Sequence, residues 1–236
     1  MLIYEVVFTV VLKRDIPYLS SFTVLSEVLN YSMLNSRELK KAHKDLMPKY
    51  YNFSGLYPVE KNRAYQKGRI YVFRVRCLEE SFARQIIQCM KASSFEVMDL
   101  IATDLKKKDE GHIRELVSIT PIVLTSDEGY VLPEHNPLEF IEKRIVGLLE
   151  KKYYNYYEDK IQVPQFCNGL IKTNRIPIKI PYKSIHFLAH KVKIQIADNP
   201  EAQKLANLAL ATGIGEKTSL GMGYVVANYY KEGKRS

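Results

Sequence analysis

Apolar and polar residues follow two periods along the first half of the chain. Runs rich in Val, Ile, Phe and Tyr favour β-strands, and apolar residues three or four positions apart favour α-helices. The predicted order is a strand at residues 2–12, a helix starting near residue 21, strands at residues 53–58 and 68–78, a helix at residues 81–92 and a strand at residues 96–105. This strand-helix-strand-strand-helix-strand order predicts a ferredoxin-like βαββαβ unit.

The same order of elements repeats after the charged run KKKDEGH at residues 106–112, which is typical of a linker. Asn-Pro pairs at positions 136–137 and 199–200 predict two helix starts, because Asn is a good N-cap and Pro fits the first turn. The predicted elements are a strand at residues 114–125, a helix through Lys152, strands at residues 161–171 and 185–196, a helix ending at Gly213 and a strand at residues 224–230. We therefore expect an α+β protein of tandem ferredoxin-like (RRM-like) domains, residues 1–109 and residues 110–236.

Composition narrows the class of protein. Lys and Arg outnumber Asp and Glu by 35 to 26, a net charge of +9, while 46% of the 236 residues are hydrophobic. A folded basic protein suits an acidic partner, and nucleic acid is a better candidate than an anionic membrane. Cys77, Cys89 and Cys167 form no CxxC pair, and the sequence has no signal-like or membrane-length apolar run. We expect a soluble, cytoplasmic protein.

The stretch GIGEKTSLGMGYV at residues 213–225 superficially resembles a nucleotide-binding loop. A P-loop needs GxxxxGK[ST], but Glu216 separates Gly215 from Lys217. Both the P-loop and the dinucleotide loop lead from a strand into a helix, whereas this segment follows a predicted helix and precedes a strand. Two glycine pairs around a polar middle instead indicate backbone at positive φ and a close approach by another segment.

The complete spacing of the loop is G-h-G-x5-G-h-G, where h is apolar, near the end of a second ferredoxin-like unit. This resembles the glycine-rich loop of the Cas6 family, the CRISPR RNA-processing endoribonucleases of the RAMP superfamily. The resemblance implies tandem ferredoxin-like domains and a loop beside the RNA path. It therefore implies that the following loop residues bind RNA: Gly213, Gly215, Lys217, Gly221 and Gly223.

The segment from Tyr31 to Pro58 carries the second part of the resemblance. Cas6 proteins that cleave RNA often place a histidine on or after the first helix, a lysine shortly afterwards and a tyrosine upstream. His43, Lys49 and Tyr31 match these positions, with His43 the closest match. Metal-free cleavage by a 2′-hydroxyl needs a base, positive charge on the phosphorane and an acid for the leaving oxygen, which these residue types can supply.

Other histidines are alternatives for the catalytic base, and each candidate has a structural interpretation. His186 and His190 stand in HFLAH, which lacks the Glu of HExxH and reads as a strand, so zinc is not expected. We expect no metal and no cofactor. A histidine in a lysine-rich stretch is often only solvent-exposed; Lys49 also suits a phosphate anchor, and Tyr31 suits core packing.

Two tracts are rich in basic residues and contain no acid. Six basic residues stand between residues 61 and 78, and seven stand between residues 160 and 197, with Phe, Tyr and Pro interleaved. Phosphate contacts would supply affinity, and stacking on aromatic rings would supply specificity. Basic residues also protect sheet edges from aggregation, which is the alternative interpretation. The second tract is the stronger candidate for RNA, and its predicted RNA-binding residues are Lys172, Arg175, Lys179, Lys183, Lys191 and Lys193.

These observations predict a metal-independent endoribonuclease that processes CRISPR repeat precursor RNA into guide RNAs by 2′-hydroxyl attack. The expected partners are repeat RNA and other Cas proteins of an effector complex, with no membrane; monomer and homodimer both stay open. The main alternative is a non-catalytic RAMP-type RNA-binding subunit, which shares the loop and the basic tracts. A ferredoxin-like small-molecule domain is a third class, but it predicts a less basic surface.

Overall fold

The first half of the chain forms one ferredoxin-like unit. The computed structural model describes residues 1–44 and 49–230, and the side chains of residues 41–44 lie outside that description. The elements of the first unit are, in order, β1 (Leu2–Leu12), β2 (Ile16–Pro17), α1 (Ser21–Met33), α2 (Arg37–Lys44), β3 (Tyr51–Phe53), β4 (Ala64–Tyr65), β5 (Ile70–Cys77), α3 (Glu80–Lys91) and β6 (Met98–Asp109). The main sheet has the strand order β3-β5-β1-β6, and all of its pairs are antiparallel.

Alternation along β1 explains how this sheet is buried. Val6, Phe8 and Val10 are fully buried among residues of α1 and α3, whereas the intervening positions are only partly covered. Side chains on a strand alternate between the two faces, so one face packs on the helices and the other is left for contacts across the molecule.

The second half repeats this topology and adds a hairpin. Its elements are β7 (Ile113–Ser118), β8 (Thr125–Ser126), β9 (Gly129–Tyr130), α4 (Leu138–Tyr157), β10 (Cys167–Lys172), β11 (Ile178–Tyr182), β12 (Ile185–Ala189), β13 (Val192–Ile196), α5 (Pro200–Thr212) and β14 (Val225–Tyr229). The main sheet has the order β10-β13-β7-β14, again antiparallel, and β11 pairs with β12 as a separate hairpin. The predicted tandem ferredoxin-like architecture is therefore confirmed.

Several local predictions were wrong. The run at residues 106–112 is not all linker, because its first part continues β6 and pairs with β1 as far as Asp109. Asn136 does not cap α4; its side-chain oxygen instead accepts a hydrogen bond from the backbone N–H of Leu132 at 2.9 Å. The predicted strand at residues 185–196 is two strands, β12 and β13, which belong to different sheets. Helix α2 was not predicted, and its Leu39 is buried in the core of the first unit.

The two units share buried surface. Ile3 of β1 is fully buried in the core of the second unit, and Tyr50 packs against that same core. A smaller cluster joins Phe22 of α1 to Ile180 and Phe187 of the β11–β12 hairpin. The hairpin is also tied to α1 by a hydrogen bond from the Thr23 hydroxyl to the carbonyl of Pro181 at 2.8 Å. Within the described ranges, no helix has the length and apolar character needed to cross a membrane.

Candidate functional site

A cleft of about 500 Å³ lies between the first sheet and the edge of the second unit. Four basic side chains line it: Arg74 and Arg76 from β5, Lys108 from β6, and Lys191 beside β13. Tyr57 lines the same cleft and is 62% exposed, although two backbone hydrogen bonds to Val72 hold its main chain. The cleft therefore combines positive charge with an exposed aromatic ring on a fixed backbone.

One acidic side chain lies among the residues that line the cleft, and basic residues pair with it. The Glu5 carboxylate is 2.6 Å from Arg76 Nε and 2.8 Å from Lys108 Nζ. Burial alone would raise the pKa of Glu5, but Arg76 and Lys108 outweigh burial and hold that pKa below its ordinary value. Glu5 is therefore ionised at neutral pH, and the charge left over in the cleft is positive.

The Arg76 guanidinium joins the two units at the base of this cleft. Its Nη1 donates to the carbonyl oxygens of Val225 at 2.7 Å and Leu210 at 3.3 Å, both in the second unit. The guanidinium carbon lies 4.4 Å from the ring centroid of Tyr224, whose hydroxyl donates to Glu5. A charged group that is paired, hydrogen-bonded and stacked in this way fixes the relative position of the two sheets.

The glycine-rich loop, residues 213–223, packs between the two units and is largely buried; we call it the clasp. All four of its glycines have positive φ, between 67° and 81°, as the glycine spacing predicts. A Cβ at Gly213 would overlap Asn52 of β3, and one at Gly221 would press on the Phe53 ring. Lys217, between the glycine pairs, is exposed and has a left-handed backbone. RNA contact by the glycines and Lys217 stays a prediction; the buried glycines allow close packing, and Lys217 presents charge to solvent.

Gly223→Ala should lower the free energy of unfolding by about 1–3 kcal/mol, the cost of a non-glycine residue in a strained backbone region. Its φ is 67°, and a Cβ would overlap the carbonyl oxygen of Ile214. Urea denaturation measures the effect. Gly147→Ala is the control, because no atom lies within 4 Å of its Cβ position in α4 and Ala should stabilise this helix by about 0.5–1 kcal/mol. Equal stability of Gly223→Ala and wild type would contradict this packing.

The three predicted catalytic residues are not all grouped together. Tyr31 is exposed in the last turn of α1, and its ring lies edge-on to Phe95, just beyond the end of α3. Lys49 precedes Tyr50 in the chain. The pKa of Tyr50 is raised mainly by burial and also by the negative charge of Glu79, so Tyr50 lies near Glu79, at the start of α3. α3 has 12 residues and so is about 18 Å long. Tyr31 and Lys49 therefore lie toward opposite ends of α3.

Helix α2 runs from the Tyr31 end of α3 toward the Lys49 end. Asn35, before α2, donates to the Ser93 hydroxyl beyond α3, and Glu38 accepts from Gln85 in the middle of α3. The backbone of His43 belongs to the last turn of α2, but its side chain lies outside the described residues. This direction carries the end of α2 toward Lys49. Burial lowers the pKa of Lys49 below its ordinary value.

The predicted RNA-binding residues of the second tract have unequal exposure. Arg175, Lys179, Lys183 and Lys193 are exposed, and Lys179 and Lys183 stand on the β11–β12 hairpin. Lys191 is half-buried in the cleft, and its pKa is lowered by burial.

Lys172 is engaged in a polar cluster with one of the two alternative histidines. Its Nζ lies 2.5 Å from Glu134, which also approaches the buried His190 at 2.9 Å. Burial lowers the pKa of His190, although Glu134 opposes that shift. His186 is exposed on β12. Among the described residues, no three His, Cys, Asp or Glu side chains are grouped so that they could hold a metal ion.

Sequence reasoning missed Lys108 and the part that Glu5 plays. Lys108 was assigned to a linker, whereas it lies in β6 and pairs with Ile3 of β1. Glu5 stands inside an apolar strand-like run, and a lone carboxylate among Val and Phe is a signal for a buried ion pair.

Two antiparallel ferredoxin-like units, joined by a glycine-rich clasp and flanking a basic cleft, define the chain as a tandem ferredoxin-like protein. The family model described as CRISPR associated protein Cas6, C-terminal, matches residues 103–227, more than half of the chain. The chain therefore belongs to the Cas6 family, which confirms the resemblance carried by the glycine loop.

Individual relatives agree with this assignment. The chain is 24% identical over 218 residues to CRISPR-associated endoribonuclease Cas6 2 of Methanocaldococcus jannaschii, covering 83% of this chain and 87% of that one. A solved structure described as a RAMP protein binding different RNA substrates matches with a TM-score of 0.73 and 15% identity, covering 95% and 99% of the two chains. A Cas6-related structure from Pyrococcus furiosus matches with a TM-score of 0.72 and 16% identity, covering 95% and 98%. At these identities the solved structures show the fold.

Proposed function

We propose that this protein is a metal-independent endoribonuclease that cuts CRISPR repeat precursor RNA into guide RNAs. Membership of the Cas6 family and the M. jannaschii endoribonuclease support this reaction class. The observation that carries the proposal is the basic cleft between the two units. Three buried free cysteines are compatible with its expected place in a reducing cytoplasm.

The cleft suits a single-stranded segment of the RNA. Arg74 and Lys108 have side chains 39% and 40% exposed, so both can reach phosphate oxygens without leaving the wall of the cleft. Tyr57 offers a ring face to a nucleobase, and stacking on aromatic rings is a common way of holding unpaired bases. From the cleft the RNA continues past the exposed lysines of the β11–β12 hairpin and past Lys217 of the glycine-rich loop.

Cleavage proceeds by attack of a 2′-hydroxyl on the adjacent phosphorus. His43 accepts the hydroxyl proton as the O2′–P bond forms, and the P–O5′ bond then breaks. The Lys49 ammonium stabilises the negative charge that develops on the phosphate oxygens. The leaving 5′-oxygen takes up one proton, so the products carry a 2′,3′-cyclic phosphate and a 5′-hydroxyl. No step in this scheme needs a divalent metal.

Tyr31 is the third residue proposed for the cleavage reaction. Tyr31 lies near Phe95, at the end of α3 opposite to Lys49. For both residues to act on one phosphate, the RNA or the protein chain has to bring them closer together. We keep Tyr31 as a candidate for positioning the ribose or protonating the leaving oxygen. Binding of other Cas proteins of an effector complex, as a monomer or as a homodimer, is likewise kept as a proposal.

Arg74→Ala should weaken binding of repeat RNA and reduce its dependence on salt. Each phosphate contact to single-stranded RNA contributes about 0.7 to the slope of log K against log salt, so loss of one contact reduces the slope by about that amount. Fluorescence anisotropy at several salt concentrations measures both quantities. The matched control is Arg84→Ala, which removes an exposed arginine from α3, outside the cleft. An equal slope for Arg74→Ala and wild type would place the RNA elsewhere.

Cleavage itself is tested by incubating labelled repeat RNA with the wild-type protein in EDTA. The proposal expects one cut, with a 5′-hydroxyl on one product and a 2′,3′-cyclic phosphate on the other. Binding without cutting would favour the non-catalytic RNA-binding subunit. Cutting that requires added magnesium would contradict the metal-independent mechanism.

A further inference from the structure

Three of the four residues that follow Lys49 contact the second unit. The Tyr50 ring lies edge-on to Tyr156 of α4, with ring centroids 4.7 Å apart and planes at 65°. Asn52 donates from Nδ2 to the carbonyl of Met222 at 3.0 Å. Phe53 lies against Gly221, where there is no room for a larger residue. The path of the chain immediately after Lys49 is therefore set by contacts with α4 and the glycine-rich loop.

Helix α4 contributes two residues to this joint, Lys152 and Tyr156. They stand four positions apart and so share one face of the helix. Lys152 Nζ donates to the carbonyl oxygens of Gly213 at 3.0 Å and Thr212 at 3.3 Å, where α5 ends and the loop begins. An ammonium group at this end of a helix satisfies carbonyls that have no partner within the helix.

These contacts connect α4, the glycine-rich loop and the residues just after Lys49 to one another. Tyr156 holds Tyr50 directly, while Lys152 holds the start of the loop, and the loop in turn holds Asn52. Tyr50 is packed against the core of the second unit, and its hydroxyl is buried without a hydrogen-bond partner among the described residues. A buried hydroxyl with no partner is costly, so the ring is held there by its packing and not by a polar contact of its own.

We propose that Tyr156 is a positioning residue: its ring fixes Tyr50 and thereby sets the position of Lys49 against the phosphate that is cleaved. This inference rests on the proposed function. It means that the second unit, which supplies none of the proposed catalytic groups, controls the rate of the chemical step. A displacement of about 1 Å in a catalytic group can cost about a hundredfold in rate.

The test uses the full-length protein and compares Tyr156→Ala with Tyr156→Phe. The rate of cleavage of labelled repeat RNA is measured in a single turnover at saturating protein, and the Kd is measured separately. Tyr156→Ala should lower the rate by about ten- to a hundredfold with the Kd within about twofold, because the ring contact is lost and the RNA contacts remain. Tyr156→Phe should keep the wild-type rate, since it keeps the ring. Tyr154→Ala is the matched control, because Tyr154 stands on the same helix and is 49% exposed.

A second variant tests whether the rings of Tyr50 and Tyr156 act together. Tyr50→Leu removes the same ring contact from the other side, and the double variant should lose no more rate than either single variant, because the two rings act as one unit. If Tyr156→Ala fails to fold, Tyr156→Leu takes its place and retains most of the buried volume.

Three results would overturn the inference: an unchanged rate in the ring-deleting variant, an equal loss in Tyr156→Phe, or additive losses in the double variant. A wild-type protein that binds repeat RNA without cutting it would overturn the proposed function as well. That outcome is distinguishable, because it appears before any variant is tested.

Discussion

His43→Ala should lower the rate of repeat RNA cleavage about 10²–10⁴-fold, the usual contribution of a general base. The affinity for RNA should stay within a few-fold, because the cleft, the hairpin lysines and Lys217 are unchanged. The reason is chemical: an unassisted 2′-hydroxyl is a poor nucleophile at neutral pH, and histidine titrates in the range where it can take up the proton. Single-turnover cleavage and anisotropy binding measure the two quantities on the same preparation.

Lys40→Ala is the control for this prediction. Lys40 is exposed on the same helix, α2, so its replacement by alanine removes a positive charge and leaves the proposed base in place. It should leave the cleavage rate nearly unchanged. Cutting that survives in His43→Ala at the wild-type rate would move the base elsewhere. His186, exposed on β12, would then be tested before His190, which is buried beside Glu134.

Arg76→Ala should lower the free energy of unfolding by about 3–5 kcal/mol, the cost of removing one partner of a buried ion pair. The change leaves the buried Glu5 carboxylate without its closest cation and frees the carbonyl oxygens of Val225 and Leu210. It also removes the stacking partner of Tyr224. Urea denaturation followed by circular dichroism measures the loss.

Arg69→Ala is the control for Arg76→Ala, because Arg69 forms an exposed ion pair with Glu60 and should cost no more than about 1 kcal/mol. The pH dependence gives a second check. In the wild type the low pKa of Glu5 contributes stability above its unfolded pKa, and this is lost as the pH falls through the folded value. Arg76→Ala should show a smaller acid-induced loss. Equal unfolding free energies for Arg76→Ala and Arg69→Ala would contradict the role of Arg76 in joining the two units.

The order of elements was predictable because it depends on local periodicity. The strand at residues 2–12 and the helix after Asn199 have their expected bounds. Asn199 caps its helix as predicted, accepting a hydrogen bond from Ala202 at 2.8 Å. The similar Asn136-Pro137 pair does not behave in this way, since Asn136 closes a turn with Leu132 instead. An amide side chain can satisfy either backbone, and the sequence does not distinguish the two.

The joint between the units was not predictable from the sequence. It depends on pairs far apart in the chain, such as Arg76 with Leu210 and Val225, and Tyr50 with Tyr156. Periodicity assigns each of these residues to an element, but only the packed fold brings them together. The same limit applies to the proposed site. The resemblance assigned Tyr31 and Lys49 to one catalytic site, whereas in the structure they lie toward opposite ends of α3. The role of the glycine loop as a clasp was predictable only in part, from its positive-φ spacing.

The central claim is that the 2′-hydroxyl of the RNA is the nucleophile and that the protein needs no metal. The most direct measurement compares two labelled repeat RNAs in EDTA, one of them with a single 2′-deoxy nucleotide immediately 5′ to the cut. Wild-type protein should cut the all-ribose RNA and leave the 2′-deoxy RNA intact, while binding both with similar Kd. Cleavage of the 2′-deoxy RNA at the same position would show that another nucleophile attacks the phosphorus, and would contradict the mechanism built on His43 and Lys49.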